Sequence, residues 1–586
     1  MLTTFKIGKD FLGHFVIENG DMAMSSCTST NPSTTKVPTA STPALDTSSH
    51  SHSHSLPNQI ASCALDHYHT QLTKKAKPKP GEEWTVFAAV VAFHRVGNRM
   101  WVVSSATGTK CTAQRHNDLI LHDSHAEVLA RRGFIRILFS ELMKKNSGST
   151  DDGENILSCS HNLLIESANC DDEAFNRSKI ESTPKGKQYQ LDPNIGIHFY
   201  ISDSPCGDAS IYRVPSTFDM AKTSNNNGIL YTGAKVIISD ATKVDATDCG
   251  GEHQLLPIKN NATSKKGNVD NTNISISEPP TSGPVLAREE IQGLGKLRTK
   301  SGRSNLPAHM RSHSHSCSDK IVLWSILGLQ GAILTKFLDP PVIPLTSVVV
   351  SIDSRLLLKD DSIAHNEEGK QEQHYQQQIA LERAISDRVR NVWEFLEREQ
   401  RDKLPSWTPA IPTVHIVRKV YESGKAAMVV ALKAKRFSGG KRKFSDCGQE
   451  KKCSGENRKL ERDYGKNNST MKARKVSPCG VAFNWNQNEG IEVLVGARGI
   501  KHGKKPKTPQ DIQKLASRLC REKLIQDFLS LGEGKLCLPF LNGRAYHQIK
   551  KDTVRSDWNH LKNRILIQNG SPLAGWLRSS IGTDDN

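Results

Sequence analysis

The chain has no Cys-x-x-Cys pair, no apolar run that approaches a membrane span, and few aromatic residues, 6% of 586. Each shortage excludes something. A bilayer-crossing helix needs about 18 or more consecutive apolar residues, so the sequence predicts a soluble protein with no membrane partner. The first residues lack the apolar core of a secretory signal, and no arginine precedes Arg95, which argues against an Arg-rich transit peptide. Thirteen cysteines, an odd number at irregular spacing, do not form a disulfide framework. Reduced thiols are the expectation, and with them a cytoplasmic or nuclear location. Hydrophobic residues make up only 36%, as in a core diluted by polar insertions. No internal repeat runs through the chain.

Positive charge is plentiful. Lysine and arginine number 79 against 61 acidic residues, for a formal net charge of +18. That excess favours a polyanionic partner such as nucleic acid, a polyphosphate or an anionic surface. Residues 1–83, rich in Ser, Thr, His and Pro, read as a disordered leader, because such a segment cannot bury enough apolar surface to offset its ordering entropy. The alternating histidines His50, His52 and His54 would hold metal only adventitiously. Order is expected over 84–580, as one α/β catalytic domain with insertions at about 144–194, 215–290, 360–375 and 434–476. Strands are predicted from Trp84 to Phe93, Met100 to Val103, Ile197 to Ser202, Ser347 to Ile352 and Ile491 to Val495. Helices are predicted from about Ser124 to Met143, over Asp319 to Leu338, and near 376–399, 509–531 and 545–567. No stable protein partner is evident, so a monomer is the working expectation.

Chemistry concentrates at three short segments. Asp123-Ser124-His125-Ala126-Glu127 opens a helix, with a histidine and a glutamate two apart. In mid-helix these side chains would point away from each other, which excludes a His-Glu-x-x-His zinc site. At a helix start they can converge on the space above the N-terminus. Cys206 follows Pro205, a residue suited to a first helical turn, and Cys317 stands just ahead of another predicted helix. Helix N-termini favour thiolate. One His and two Cys leave a fourth tetrahedral position for water, the open arrangement of a catalytic zinc. Taken singly, His-x-Glu reads more readily as a helix cap and Pro-Cys as a core thiol; taken together and in this order, the three point to metal. Zinc deaminases carry His-x-Glu followed by Pro-Cys-x-x-Cys, with the Glu as proton shuttle. Here Ala209 stands third after Cys206, so the remaining ligand must come from elsewhere, and Cys317 is the candidate.

The segments Asp123–Glu127, Ser204-Pro205-Cys206-Gly207-Asp208, Leu297-Arg298-Thr299-Lys300 and Ser316-Cys317-Ser318-Asp319-Lys320-Ile321 resemble, in this order, the adenosine-to-inosine editase domain. Double-stranded-RNA adenosine deaminases share that domain with tRNA-specific adenosine deaminases of the alanine-tRNA type. Gly108–Cys111, Gly328–Gly331, Ala516–Cys520 and Gly575-Trp576 extend the likeness. The resemblance implies a cytidine-deaminase-like three-layer core, a central mixed sheet flanked by helices. It also implies one Zn2+ on His125, Cys206 and Cys317, with Glu127 moving protons between water and the adenine. It further implies a buried inositol hexakisphosphate, held by Arg131, Arg132, Lys320, Arg521, Tyr546, Lys550, Trp558, Lys562 and Trp576, and a relay from that polyphosphate to zinc through Lys320 and Asp123. Arg521 stands where lysine is usual, Leu323 where double-stranded-RNA editors have arginine, and Arg578 where an acid is usual.

Two features favour tRNA over duplex RNA as the partner. Residues 1–83 hold no α-β-β-β-α pattern of a double-stranded-RNA-binding domain, and residues 301–316 are shorter than the base-flipping loop of the duplex editors. The family's tRNA target is the adenosine immediately 3′ of the anticodon in tRNA-Ala. Lys433–Arg436, Lys441–Lys443 and Lys501–Lys507 are candidate phosphate contacts. The competing readings are a duplex-RNA editor, a catalytically inactive RNA-binding protein and, weakened by the missing Cys-x-x-Cys, a cytidine deaminase.

Overall fold

Phe87–His94 is apolar at nearly every position, the pattern of a strand buried on both faces rather than one. In the computed structural model it is the central strand β1. Side chains 55–72, 77–112, 117–146, 162–167, 187–212, 294–300, 312–353, 374–399, 410–434, 475–531 and 548–577 are described, with a few further backbone segments, Gln371 and Trp407. All of them fall in the compact unit His52–Asn586. The turn at Gly97-Asn98, with Asn98 at φ 43°, returns the chain into β2 (Arg99–Thr107). Then come β3 (Ile195–Ile201), β4 (Ser347–Ser351), β5 (Thr413–Val417), β6 (Val481–Asn486), β7 (Gly490–Val495) and β8 (Ile500–Lys501). They form one eight-stranded sheet in the order β5-β4-β3-β1-β2-β6-β7-β8. The β5/β4 and β4/β3 pairs are parallel and the others antiparallel, so the sheet is mixed.

Alternation along β1 supplies two cores. Ala88, Val90 and Ala92 pack with Phe199 of β3 and with Leu129, Phe134 and Leu138 of helix α2 (Ala126–Asn146). Phe87, Ala89 and Val91 face the other way, onto helix α1 (Leu56–Gln71). Helix α3 (Cys317–Leu327) lies on the α2 side, where Ile321 and Trp324 enter the first core. Its opposite side, with Val322 and Ile326, joins a third cluster outside the sheet. That cluster draws Val389, Val392 and Leu396 from α5 (Arg388–Glu399) and Trp558, Leu561 and Ile565 from α10 (Ser556–Ile567). The remaining helices are α4 (Glu367–Glu382), α6 (Lys425–Ser438), α7 (Pro509–Leu515), α8 (Arg521–Gly532) and α9 (Tyr546–Thr553). The architecture is mixed α/β with helices on both faces of a central mixed sheet. No helix among the described residues is long and apolar enough to cross a membrane.

Several expectations change. Helix α1 lies inside the stretch read as a disordered leader. Ile60, Ala61, Ala64, Leu65 and Tyr68 form a helical stripe that the Ser/His-rich surroundings obscured, and all five are buried. The expected insertion 144–194 contains a paired strand at each side, Leu164–Glu166 with Tyr189–Leu191, and Leu163, Leu164 and Tyr189 enter the core. Most of the other expected insertions lies outside the described residues. The helix expected near 509–531 is two, because Ala516 leaves helical geometry at ψ 133°. The one near 545–567 is also two, broken at Arg555, whose ψ is 137° and whose guanidinium donates to the Leu338 carbonyl.

Candidate active site

Helix α2 does not begin at Ser124. Asp123–His125 is a short strand paired with Thr109–Cys111, and the helix starts one residue after His125. The two-residue spacing of His125 and Glu127 therefore straddles a strand–helix junction, where the mid-helix divergence does not apply. Gly108 makes the junction possible: it sits at φ 153°, and a Cβ there would lie 2.0 Å from the Ser124 carbonyl oxygen. Cys206 lies in the turn after β3, ahead of a single 3-10 turn at Asp208–Ser210, rather than at a true helix start. Gly207 (φ 113°) follows it, and a Cβ there would collide with the Ser316 and Ser318 hydroxyls at 2.3 and 2.4 Å. Cys317 is the first residue of α3, where the Ser316 hydroxyl caps the helix by accepting from Asp319 N–H.

These elements bring the predicted ligands together. His125 Nδ1 is 3.9 Å from Cys206 Sγ and 3.7 Å from Cys317 Sγ, and the Cys317 N–H donates to Cys206 Sγ at 3.4 Å. All three ligand atoms fall within 4.8 Å of one another. Tetrahedral zinc with bonds of about 2.0–2.3 Å sets such atoms ~3.5–3.8 Å apart, so the cluster fits that ion. Cys111, Asp123 and His125 form a second group of that size, but lysines occupy the carboxylate of Asp123, which makes it a poor ligand. Glu127 stands beside the first cluster, 3% exposed. Its Oε2 is buried with no hydrogen-bond partner among the described residues, as expected of an atom kept for water or substrate.

The electrostatics favour a thiolate at Cys206. Cys206 is held well below the ordinary thiol range by hydrogen bonding with Cys317, reinforced by Lys300 and His125 against the effect of burial. Burial and the neighbouring Cys206 push Cys317 up. Burial likewise raises the Glu127 carboxyl above its usual value. Lys300 Nζ donates to Cys317 Sγ at 3.0 Å and to Asp123 Oδ2 at 2.8 Å. Lys320 Nζ donates to the same carboxylate oxygen at 2.5 Å, and the Ser314 hydroxyl donates to it at 2.6 Å. The other oxygen of Asp123 accepts from His125 N–H at 3.0 Å and from the Cys111 thiol at 3.4 Å. Burial opposes the charge on Asp123, and the two lysines override it and hold the group well below the carboxylate range. Lys320, Asp123, Lys300 and Cys317 thus form one continuous chain of contacts. Lys300 belongs to that chain and was missed as a site residue, although the segment Leu297–Lys300 stood out as a motif.

The residues expected to hold the polyphosphate make several contacts among the described residues. The Arg131 guanidinium lies 4.9 Å above the Trp324 ring. Lys550 is pushed down to about 8 by burial and by the charges of Arg521 and Arg131. Arg132 Nε donates to the Leu519 carbonyl at 2.6 Å, and Arg521 pairs with Asp118 at 3.2 Å. Lys562 Nζ is 5.9 Å from the Trp558 ring centre, while Trp558 Nε1 donates to the Leu327 carbonyl. Trp576 stacks on His315 at 3.9 Å, and His315 Nε2 accepts from Leu577 N–H. The side chain of Tyr546 lies outside the described residues. Lys504, Lys505 and Lys507 are exposed beyond β8, as is Lys433 on α6; Lys441–Lys443 lie outside the described residues.

A histidine and two cysteines on an α/β frame, with a buried glutamate beside them, are the residue set that zinc-dependent deaminases use. The chain belongs to the adenosine-deaminase (editase) domain family, whose model matches residues 104–165 and 160–579. It is 30% identical over 290 residues to tRNA-specific adenosine deaminase 1 of Drosophila melanogaster, across 48% of this chain and 52% of the relative. It is 28% identical over 359 residues to tRNA-specific adenosine deaminase 1 of Homo sapiens, across 50% of this chain and 65% of the relative. A double-stranded RNA-specific adenosine deaminase of Mus musculus is 28% identical over 259 residues, 44% of this chain and 16% of that protein. The chain thus spans about half to two thirds of the tRNA-specific relatives it matches.

Proposed function

We propose that this protein converts adenosine to inosine in tRNA by zinc-assisted hydrolysis, at the adenosine immediately 3′ of the anticodon of tRNA-Ala. The observation that carries the reading is the convergence of His125, Cys206 and Cys317 beside the buried Glu127. Zinc on those ligands would supply the Lewis acidity that brings the pKa of water toward neutrality. Glu127 takes one proton of the attacking water and hands it to adenine N1, then takes the second from the hydroxyl now on C6 and delivers it to the departing amine. Water thereby replaces ammonia at C6. Lys300 and Asp123 hold the Cys317 sulfur and the His125 backbone in place during these transfers.

Substrate choice rests on the longer share of the tRNA-specific relatives that is matched and on the short segment 301–316. An anticodon-loop adenosine is already unpaired, so extruding it costs less than extrusion from a duplex. Inositol hexakisphosphate is the second cofactor proposed. Arg131, Arg521 and Lys550, whose positive charges act on one another, would supply donors to its phosphates, with Lys320 linking it to Asp123. Kinship of the core with cytidine deaminases, a monomeric state and a cytoplasmic or nuclear location complete the reading. Incubating the purified protein with total tRNA and sequencing for A-to-G changes tests it. A change at the base following the anticodon of tRNA-Ala is expected; no change there, or editing of long duplex RNA instead, defeats it.

A further inference from the structure

Each cysteine of the cluster is followed two residues later by a fully buried aspartate, Asp208 after Cys206 and Asp319 after Cys317. The arginines that pair with them come from a single helical stretch. Arg383 Nε donates to Asp208 Oδ2 at 3.1 Å, and its Nη2 donates to the carbonyls of Asp208 and Ile211. Arg388 Nη1 donates to Asp319 Oδ1 at 2.7 Å. The two arginines are five residues apart, and an α-helix would set them about 140° apart around its axis. Between α4 and α5, however, residues Arg383–Asp387 form a π-turn. Hydrogen bonds that reach five residues back put positions five apart on one side.

We infer that this π-turn positions the metal centre, with Arg383 and Arg388 each anchoring one cysteine-bearing segment to the same rigid arm. The two segments are also fastened to each other. Ser318 N–H donates to the Cys206 carbonyl at 3.1 Å, and Asp208 N–H donates to the Ser318 hydroxyl at 3.0 Å. That seam fixes their contact, and the arginines fix the pair against the fold. Asp208 and Asp319 have further donors, Gly295 N–H and Arg298 N–H, so each carboxylate gathers its neighbouring loop to the same anchor. Groups that orient metal ligands without touching the ion tune affinity by roughly 10- to 100-fold, which is the scale assigned to each arginine.

The role rests on the zinc reading above, and the test separates the two. Full-length wild type, Arg383→Gln and Arg388→Lys are loaded with zinc for release to a colorimetric chelator, and with cobalt for the ligand-field spectrum. Arg383 is a quarter exposed, so its variant keeps the test open should replacement of the buried Arg388 prevent folding. Zinc release at least about 10-fold faster in Arg383→Gln, with a shifted cobalt band, is expected. Arg388→Lys keeps the charge, loses the planar fork and should release zinc faster than wild type. Wild-type release rates and an unchanged cobalt band in the variants overturn the role, even where the thermal midpoint of the metal-free protein falls. A wild-type chain that binds neither metal overturns the metal centre itself, which is a different failure.

Discussion

Glu127 sits where burial governs its chemistry. Burial raises its carboxyl above the ordinary value, the direction that favours holding a proton. Glu127→Gln keeps the shape and removes the proton traffic. The variant should retain one zinc per chain by atomic absorption and lose deamination by a factor of about 100 or more. Glu141, also on α2, makes a separate prediction about stability. Its carboxylate accepts from Leu163 and Leu164 N–H, yet burial dominates and lifts it from 4.5 to about 7. A carboxyl raised in the folded state contributes stability that is complete below pH 4.5 and is lost as pH rises through 7. The difference in unfolding free energy between wild type and Glu141→Gln should therefore change by on the order of 3 kcal/mol across that window, read by urea denaturation. A flat difference would mean that hydrogen bonds to Leu163 and Leu164 cancel the cost of burial.

Helix α1 and the π-turn show what a period in the sequence can and cannot reveal. The α1 stripe of Ile60, Ala61, Ala64, Leu65 and Tyr68 follows the helical period and was there to be read. Composition outweighed it, because serine and histidine surround it and the sheet face it covers is 16 or more residues away, beginning at Phe87. Ile60→Ala should destabilise the fold by ~2–5 kcal/mol in urea, the range for a fully buried aliphatic cut to alanine. A change below about 0.5 kcal/mol, typical of surface sites, would return α1 to the leader. The π-turn carries no comparable signal. One extra residue per turn over five positions is smaller than the tolerance of any hydrophobic pattern, and the gain it brings, ion pairs to two buried aspartates, involves residues far away in sequence.

Across the whole molecule the net charge of +18 is the property most exposed to experiment. If tRNA is held through its phosphates, raising salt from 50 to 200 mM should weaken binding by roughly 10³–10⁵ for 6–10 contacts, with a straight line in log affinity against log salt. A shallow slope, worth one or two contacts, would remove the exposed lysines at 504, 505 and 507 from the interface. The sequence by itself singled out the candidate ligands His125, Cys206 and Cys317, their order along the chain and the glutamate that accompanies them. Those are properties of local motifs, since metal chemistry demands particular side chains whatever the fold. It also placed core strands at Trp84–Phe93, Ile197–Ser202 and Ser347–Ile352, which overlap the observed Phe87–His94, Ile195–Ile201 and Ser347–Ser351. Only the tertiary structure decided that His125 ends a strand, that Cys206 sits in a turn, that Lys300 bridges Asp123 to Cys317, and that Arg383 and Arg388 reach the two aspartates. Each of these depends on backbone directions and on contacts between residues tens to hundreds of positions apart. Such contacts form only once burial has assembled the sheet and its helices, so no local pattern records them.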